Sequence, residues 1–242
     1  MKTTAIIVAG GSGSRMKQDI PKQFLSVNDK PVLIYTMENF QRHPEVDAIG
    51  VVCIDGWHDV VRSYAAQFNL SKLKWIISGG NTVQESIRNG VEQLERDAQD
   101  EDIVIVHDGV RPLVDESVLT DILRVCREHG NAVPSLPYNE QIFKIAGDDA
   151  TTTTQYIARE TIRRVSTPQA YRYRLIADAY HKAFEENIAI GSSSYTNTMM
   201  VELGIRLYFA KGSDRNIKLT TPDDFEIFKA YLSLGHDAWL KR

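Results

Sequence analysis

Residues Ala5–Phe24 read AIIVAGGSGSRMKQDIPKQF. A run of five apolar residues ends in a loop of three glycines and two serines, and that loop delivers Arg15, Lys17 and Lys22 within eight residues. A glycine-rich turn directly after a strand predicts a phosphate site, because a chain without Cβ atoms brings its backbone N–H groups close to an anion. The cluster of cations that follows points the same way.

Working outward, apolar runs alternate with amphipathic stretches. TAIIVA reads as a strand, PVLIYTMENFQRH as a helix and DAIGVVCI as a strand. HDVVRSYAAQF is helical, KWIIS a strand, and TVQESIRNGVEQLERD a helix with Val83, Ile87, Val91 and Leu94 on one face. DIVIVHD is a further apolar strand, followed by the helix SVLTDILRVCREHG ending at a glycine and the short run NAVPSLP. Strands apolar on both faces and separated by helices predict a mostly parallel sheet covered on two sides, a three-layer α/β domain. In such sheets ligands collect beyond the carboxyl ends of the strands, where the glycine loop, SGGN and HDGVRP all fall. No repeat, low-complexity linker or charge block marks a boundary, so residues 1–242 are expected to form a single domain.

One segment breaks the rhythm. From Tyr138 to Arg164, alternation in QIFKI and TTTTQYI around AGDDA predicts a β-hairpin arm projecting from the sheet at about 138–164. An arm of this kind either folds over its own subunit or trades places with its twin in a dimer.

Composition narrows the function. A net charge of −4 and a pI near 5.9 argue against nucleic-acid binding, so the basic residues that matter are gathered around a small anion. Cys53 and Cys126 sit inside apolar runs without metal-ligand spacing and predict reduced core thiols in a cytoplasmic protein. The N-terminal apolar run is shorter than a signal-peptide core and nothing later approaches a membrane span, so neither secretion nor membrane insertion is expected. Two familiar phosphate loops are excluded: GGSGSRMK has no lysine followed by a hydroxyl residue in the place a Walker loop needs them, and it puts Ser14 and Arg15 where a dinucleotide fingerprint needs its third glycine, with no strand-end acid at the required distance.

VAGGSGSRM with PKQF, then SGGNTVQESI, HDGVRP, STPQAY and NIKLTTPDDF, together resemble the cytidylyltransferases that join CTP to 2-C-methylerythritol 4-phosphate or to ribitol 5-phosphate. The match runs from the first strand to about residue 232, in the family's order and spacing. It implies a Rossmann-like nucleotidyltransferase domain with a twisted sheet. It also implies attack of a polyol phosphate on the α-phosphorus of CTP with loss of pyrophosphate, chemistry that asks mainly for positioning and charge stabilisation.

By the same resemblance, Arg15 and Lys22 stabilise charge at the reacting phosphorus. Lys218 joins them as a catalytic cation. Ala9, Gly10, Gly11, Ser12 and Gly13 cradle the triphosphate, Asn81 and Ser86 contact the cytosine ring, and Gly80 allows close approach. Asp108, at the end of an apolar strand, holds Mg²⁺. Arg111, Arg159 and Lys218 hold the acceptor phosphate, with Gln141 on the arm near the polyol. The arm embraces a second subunit, giving a homodimer with a shared site. His107 is expected to be structural, because alternation turns it away from Asp108. His43, His58, His129, His181 and His236 are expected on solvated or helix faces.

The sequence departs from the family mainly in the acceptor half. Val83 replaces an arginine of the nucleotide loop, the hairpin motif that usually supplies a threonine near the polyol reads NEQIFK with Gln141 in that region, and GSSSYTNTMM carries no carboxylate until Glu202. The valine in HDGVRP is closer to the ribitol-phosphate enzymes. The expected reaction is therefore synthesis of a CDP-alditol for a cell-wall or capsule polymer. The methylerythritol-phosphate enzyme of isoprenoid synthesis and a non-catalytic nucleotide-binding relative are the alternatives. Retention of Arg15, Lys22, Asp108 and Lys218 favours an active enzyme.

Overall fold

The computed structural model describes residues 1–11, 20–145, 147, 151–191 and 195–234. β1 (Thr3–Ala9) precedes a 3-10 turn at Lys22–Phe24, a small antiparallel pair β2 (Ser26–Val27) and β3 (Lys30–Pro31), and α1 (Val32–Arg42). Alternation continues through β4 (Ala48–Cys53), α2 (His58–Gln67), β5 (Leu73–Ser78), α3 (Val83–Glu92), β6 (Ile103–Asp108), α4 (Glu116–His129) and β7 (Asn131–Pro137). Then come β8 (Ile142–Lys144), β9 (Gln155–Ile157), β10 (Arg163–Val165), β11 (Gln169–Arg172), α5 (Tyr173–Glu186), α6 (Thr196–Glu202), β12 (Phe209–Lys211) and α7 (Pro222–Ser233).

The main sheet has eight strands in the order β10, β7, β11, β6, β1, β4, β5, with β12 also on β7. β6, β1, β4 and β5 are parallel, β12 is parallel to β7, and β10 and β11 run against their neighbours. This is the mostly parallel α/β sheet expected from the sequence. β10 and β11 follow one another along β7, β11 beside Asn131 and Ala132 and β10 beside Ser135 to Pro137. The Ser166–Pro168 link between them is thereby held beside the end of β6.

Successive residues of the central strands enter different cores, as the two-residue period of a strand requires. Ile7, Val51 and Ile105 pack with Leu33, Phe40, Val61, Leu119 and Leu123 on one side. Ile6, Val52, Val104 and Val106 pack with Ile87, Val91, Ile176, Tyr180 and Met199 on the other. Those two apolar faces are what make three layers. α3 lies close on the sheet because residue 90 is glycine: a Cβ there would stand 2.6 Å from Ile6 Cγ2. A third cluster seats α7 through Phe225 and Phe228 against Val32, Val110 and Leu219. Both cysteines are buried and free, and burial raises their thiol pKa values to about 11 for Cys53 and about 12 for Cys126.

Several local expectations need correction. Val83, expected on one apolar face with Ile87, Val91 and Leu94, is 44% exposed, because it opens α3 at the rim of the sheet. His43 is buried rather than solvated, bridged by Nε2 to Thr120 Oγ1 at 3.1 Å and by Nδ1 to the Glu45 N–H at 3.3 Å. The hairpin forms, but its strands pair only Ile142–Lys144 with Gln155–Ile157, and the threonines precede the second strand. Thr153 instead turns its hydroxyl onto the Lys144 and Gln155 backbone. No helix of the described residues is long and apolar enough to cross a membrane.

Candidate active site

Parallel register gathers the motifs at one edge of the sheet. Val8 lies opposite Asp108, Ala9 opposite Cys53, and Cys53 opposite Ser78, so the loops after β1, β5 and β6 leave side by side. The Gly79 N–H donates to Cys53 O and the Gly109 N–H to Val8 O, both at 2.8 Å. Gly10 abuts Ser86 and Gly79, whereas a Cβ on Gly11 would meet no atom of the described residues within 4 Å. Ser12, Gly13 and Arg15 lie outside the described residues.

Lys22 follows Pro21 in the 3-10 turn, and its ammonium helps hold the Asp224 carboxyl below the usual range, behind the backbone N–H bonds from Thr221 and Thr220 that outweigh burial there. Phe24 anchors the turn by stacking on Trp57, with ring centroids 4.2 Å apart.

The second glycine loop is tied to α3. Thr82 caps the helix by accepting from the Glu85 N–H at 3.0 Å. Ser86 accepts from the Gly80 N–H at 3.0 Å and gives its proton to Thr82 O at 2.9 Å, so its hydroxyl has only lone-pair capacity left for a ligand. Gly80 is required by its own helix, since a Cβ would fall 2.3 Å from Glu85 Cβ. Asn81 donates its backbone N–H to Glu85 Oε2 at 2.7 Å and stands exposed at the rim.

Asp108 ends β6 as the acceptor of two cations on one oxygen: Arg111 Nε at 2.8 Å and Lys218 Nζ at 3.1 Å both reach Oδ2. Burial opposes ionisation, but Lys218 and Arg111 outweigh it and hold this carboxyl far below the usual range. Beneath it, His107 is fully buried. Its Nε2 faces the Arg111 carbonyl at 3.1 Å, which can only accept, so Nε2 carries the proton and Nδ1 accepts from Thr167 Oγ1 at 3.1 Å. Burial lowers the His107 pKa to about 4, keeping the ring neutral. The Thr167 hydroxyl in turn accepts from the Asp108 N–H at 3.1 Å. Arg111 Nη1 donates to Asn216 O at 2.8 Å, and Asn216 Nδ2 donates to Thr167 O at 2.6 Å. A cavity of about 300 Å³ opens here, lined among others by Arg111, Arg164, Ser166, Asn216 and Lys218.

Asp108, Arg111 and Lys218 are therefore brought together. Gln141 and Arg159 are brought to a different place, a hollow of about 370 Å³ on the arm itself, which they line with Phe143 and Tyr156. Within one chain Gln141 and Arg159 do not line the cavity of Arg111 and Lys218.

Three further residues emerge from the structure alone. Thr167 and Asn216 sit in STPQAY and NIKLTTPDDF, where Lys218 draws attention as the charge. Gln23, in PKQF, is 1% exposed and donates from Nε2 to Ala9 O at 2.6 Å and Gly11 O at 3.0 Å. A polar side chain wedged between Lys22 and a core phenylalanine is the only trace it leaves in the sequence.

Among known proteins, the family model for 2-C-methyl-D-erythritol 4-phosphate cytidylyltransferase, IspD, matches residues 3–234. A ribitol-5-phosphate cytidylyltransferase of Lacticaseibacillus paracasei is 57% identical over 95% of this chain and 97% of that protein. A 2-C-methyl-D-erythritol 4-phosphate cytidylyltransferase of Syntrophus aciditrophicus is 34% identical over 96% of each. The crystal structure of a 4-diphosphocytidyl-2C-methyl-D-erythritol synthase superimposes with a TM-score of 0.78 at 25% identity, covering 96% of this chain and 98% of that one. The glycine loop, the cation-bound Asp108 and these likenesses, each extending over nearly the whole chain, place the protein in the IspD family as a cytidylyltransferase.

Proposed function

We propose that this enzyme transfers CMP from CTP to ribitol 5-phosphate, forming CDP-ribitol and releasing pyrophosphate. An oxygen of the acceptor phosphate forms the new bond to the α-phosphorus as the bond to the β,γ-pyrophosphate breaks. The glycine loop and the SGGN loop receive the nucleotide at the carboxyl edge of the sheet. Arg111 and Lys218 present two cations in one cavity, a fit for the acceptor's phosphate. Lys22 and Arg15 neutralise charge that builds on the five-coordinate phosphorus. The acceptor's identity rests on the 57% identity to the ribitol-5-phosphate enzyme.

Asp108 is the residue to hold Mg²⁺. No group of three or more His, Cys, Asp or Glu able to hold a metal ion occurs among the described residues, and one ionised carboxylate completed by substrate phosphates suits this hard ion. The bound ion would neutralise phosphate charge and orient the triphosphate. Arg111 and Lys218 already occupy Oδ2 of Asp108, so the carboxylate is shared between the two halves of the site.

The whole chain is read as one nucleotidyltransferase domain whose arm reaches a second copy. Phe143, Ile145 and Tyr156 are 55%, 64% and 73% exposed on that arm, an apolar surface suited to burial in a homodimer. The buried free thiols suit a reducing cytoplasm.

The test is pyrophosphate release across a panel of ribitol 5-phosphate, 2-C-methylerythritol 4-phosphate and other alditol phosphates with each nucleoside triphosphate. CTP with ribitol 5-phosphate is expected to give the highest kcat/KM, to fall silent in excess chelator and to recover with Mg²⁺. A preference for 2-C-methylerythritol 4-phosphate would move the enzyme to the other branch of its family, and full activity in chelator would remove the metal from Asp108.

A further inference from the structure

We propose that Gln23 is the positioning residue that fixes the glycine loop relative to Lys22. This rests on reading that loop as the cradle of the triphosphate. A glutamine amide has two N–H donors, both on one nitrogen, and here they go to the carbonyls on either side of Gly10: Ala9 O at 2.6 Å and Gly11 O at 3.0 Å. In a trans peptide the carbonyl and the following N–H point in opposite directions. Drawing Ala9 C=O onto Gln23 therefore turns the Gly10 N–H away from the protein's own amide, and the Gly11 carbonyl is kept from turning toward an incoming anion. Carbonyl oxygens facing a triphosphate would repel it, and Gln23 holds these two inward, away from that role.

The same residue is covalently next to Lys22. The turn Lys22–Phe24 is immobilised by the Phe24 ring on Trp57, by the Phe24 N–H to Pro21 O at 2.8 Å and by burial of both Gln23 and Phe24. Any shift of Ala9 to Gly11, where the glycine loop begins, relative to this anchored turn breaks the two amide hydrogen bonds. Gln23 is thus the tie between the loop that receives the phosphates and the lysine that neutralises them. Substitution by methionine keeps length and volume but removes both donors. Glutamate keeps the shape and replaces the donors by oxygens facing two carbonyls.

The measurement is the affinity of the full-length enzyme for CTP and for CMP, by calorimetry, in wild type, Gln23→Met and Gln23→Glu, with thermal midpoints to establish folding and KM values for both substrates. In Gln23→Met, CTP affinity is expected to fall about tenfold, with CMP affinity and the KM for ribitol 5-phosphate unchanged. Gln23→Glu is expected to lose more. A merely structural lesion would weaken CTP and CMP alike, and that result overturns the proposal, as does a CTP-over-CMP preference kept intact in both variants. If neither variant folds, Gln23 is a stability residue and the proposal also falls. Wild-type enzyme that binds CTP no more tightly than CMP would instead overturn the cradle itself, and the role of Gln23 with it.

Discussion

Lys22→Ala is expected to lower kcat by about 10³-fold, ~4 kcal/mol of lost transition-state stabilisation, with the KM for CTP changed far less. The charge on the transferred phosphorus is greater in the five-coordinate state than in bound CTP, so a fixed cation beside it acts mainly on kcat. The turn that carries Lys22 is anchored by Phe24 on Trp57 and by burial of Gln23 and Phe24, so the variant is expected to keep its fold. Arg15→Ala is expected to behave alike, and the double variant to lose less than the product of the two, since both charges serve one centre. Steady-state rates with a thermal midpoint for each variant check this. A near-wild-type kcat in Lys22→Ala would remove it from the catalytic step.

Deleting Gln141 to Thr154 and bridging the gap with a short turn is expected to leave a monomer that binds CTP normally and loses about a hundredfold or more in kcat/KM for the polyol phosphate. Among the described residues β8 and β9 pair only with each other, so the core sheet does not depend on them. The nucleotide loops and Asp108 are carried by β1, β5 and β6, and β10 remains fastened to β7. Gln141 goes with the deletion, and Arg159 loses the hairpin that shapes the hollow around it. Sedimentation and calorimetry separate the two effects. An intact enzyme that sediments as a monomer at micromolar concentration with full activity would reject the shared site.

Much of this was legible in the sequence. The central strands announce themselves because both faces are covered, and an apolar, β-branched run as short as DIVIVHD reads as a strand rather than a buried helix. Asp108, Arg111 and Lys218 were legible as charges in motifs, and the structure joins them on one carboxylate oxygen. What escaped depends on contacts across long separations. Gln23 matters because its amide finds carbonyls 14 and 12 residues earlier, and Thr167 because it meets His107 60 residues away. Helical periodicity could not tell that Val83 sits at the rim of the sheet, nor that His43 meets Thr120. The threonine run favours strand by β-branching, yet in the turn a hydroxyl bonded to nearby backbone wins.

The separation of the two cavities has a consequence for mixed assemblies. If each centre takes Asp108, Arg111 and Lys218 from one chain and Arg159 from its twin, a lesion in the core and a lesion in the arm damage different partners of the same centre. Asp108→Asn and Arg159→Ala homodimers would each be inactive. Exchanging their subunits would create hybrids in which both lesions fall in one centre and the other is wild type. With random exchange half the dimers are hybrids, so about a quarter of all centres recover. Activity reborn from two dead preparations would be the signature of a centre built by two chains.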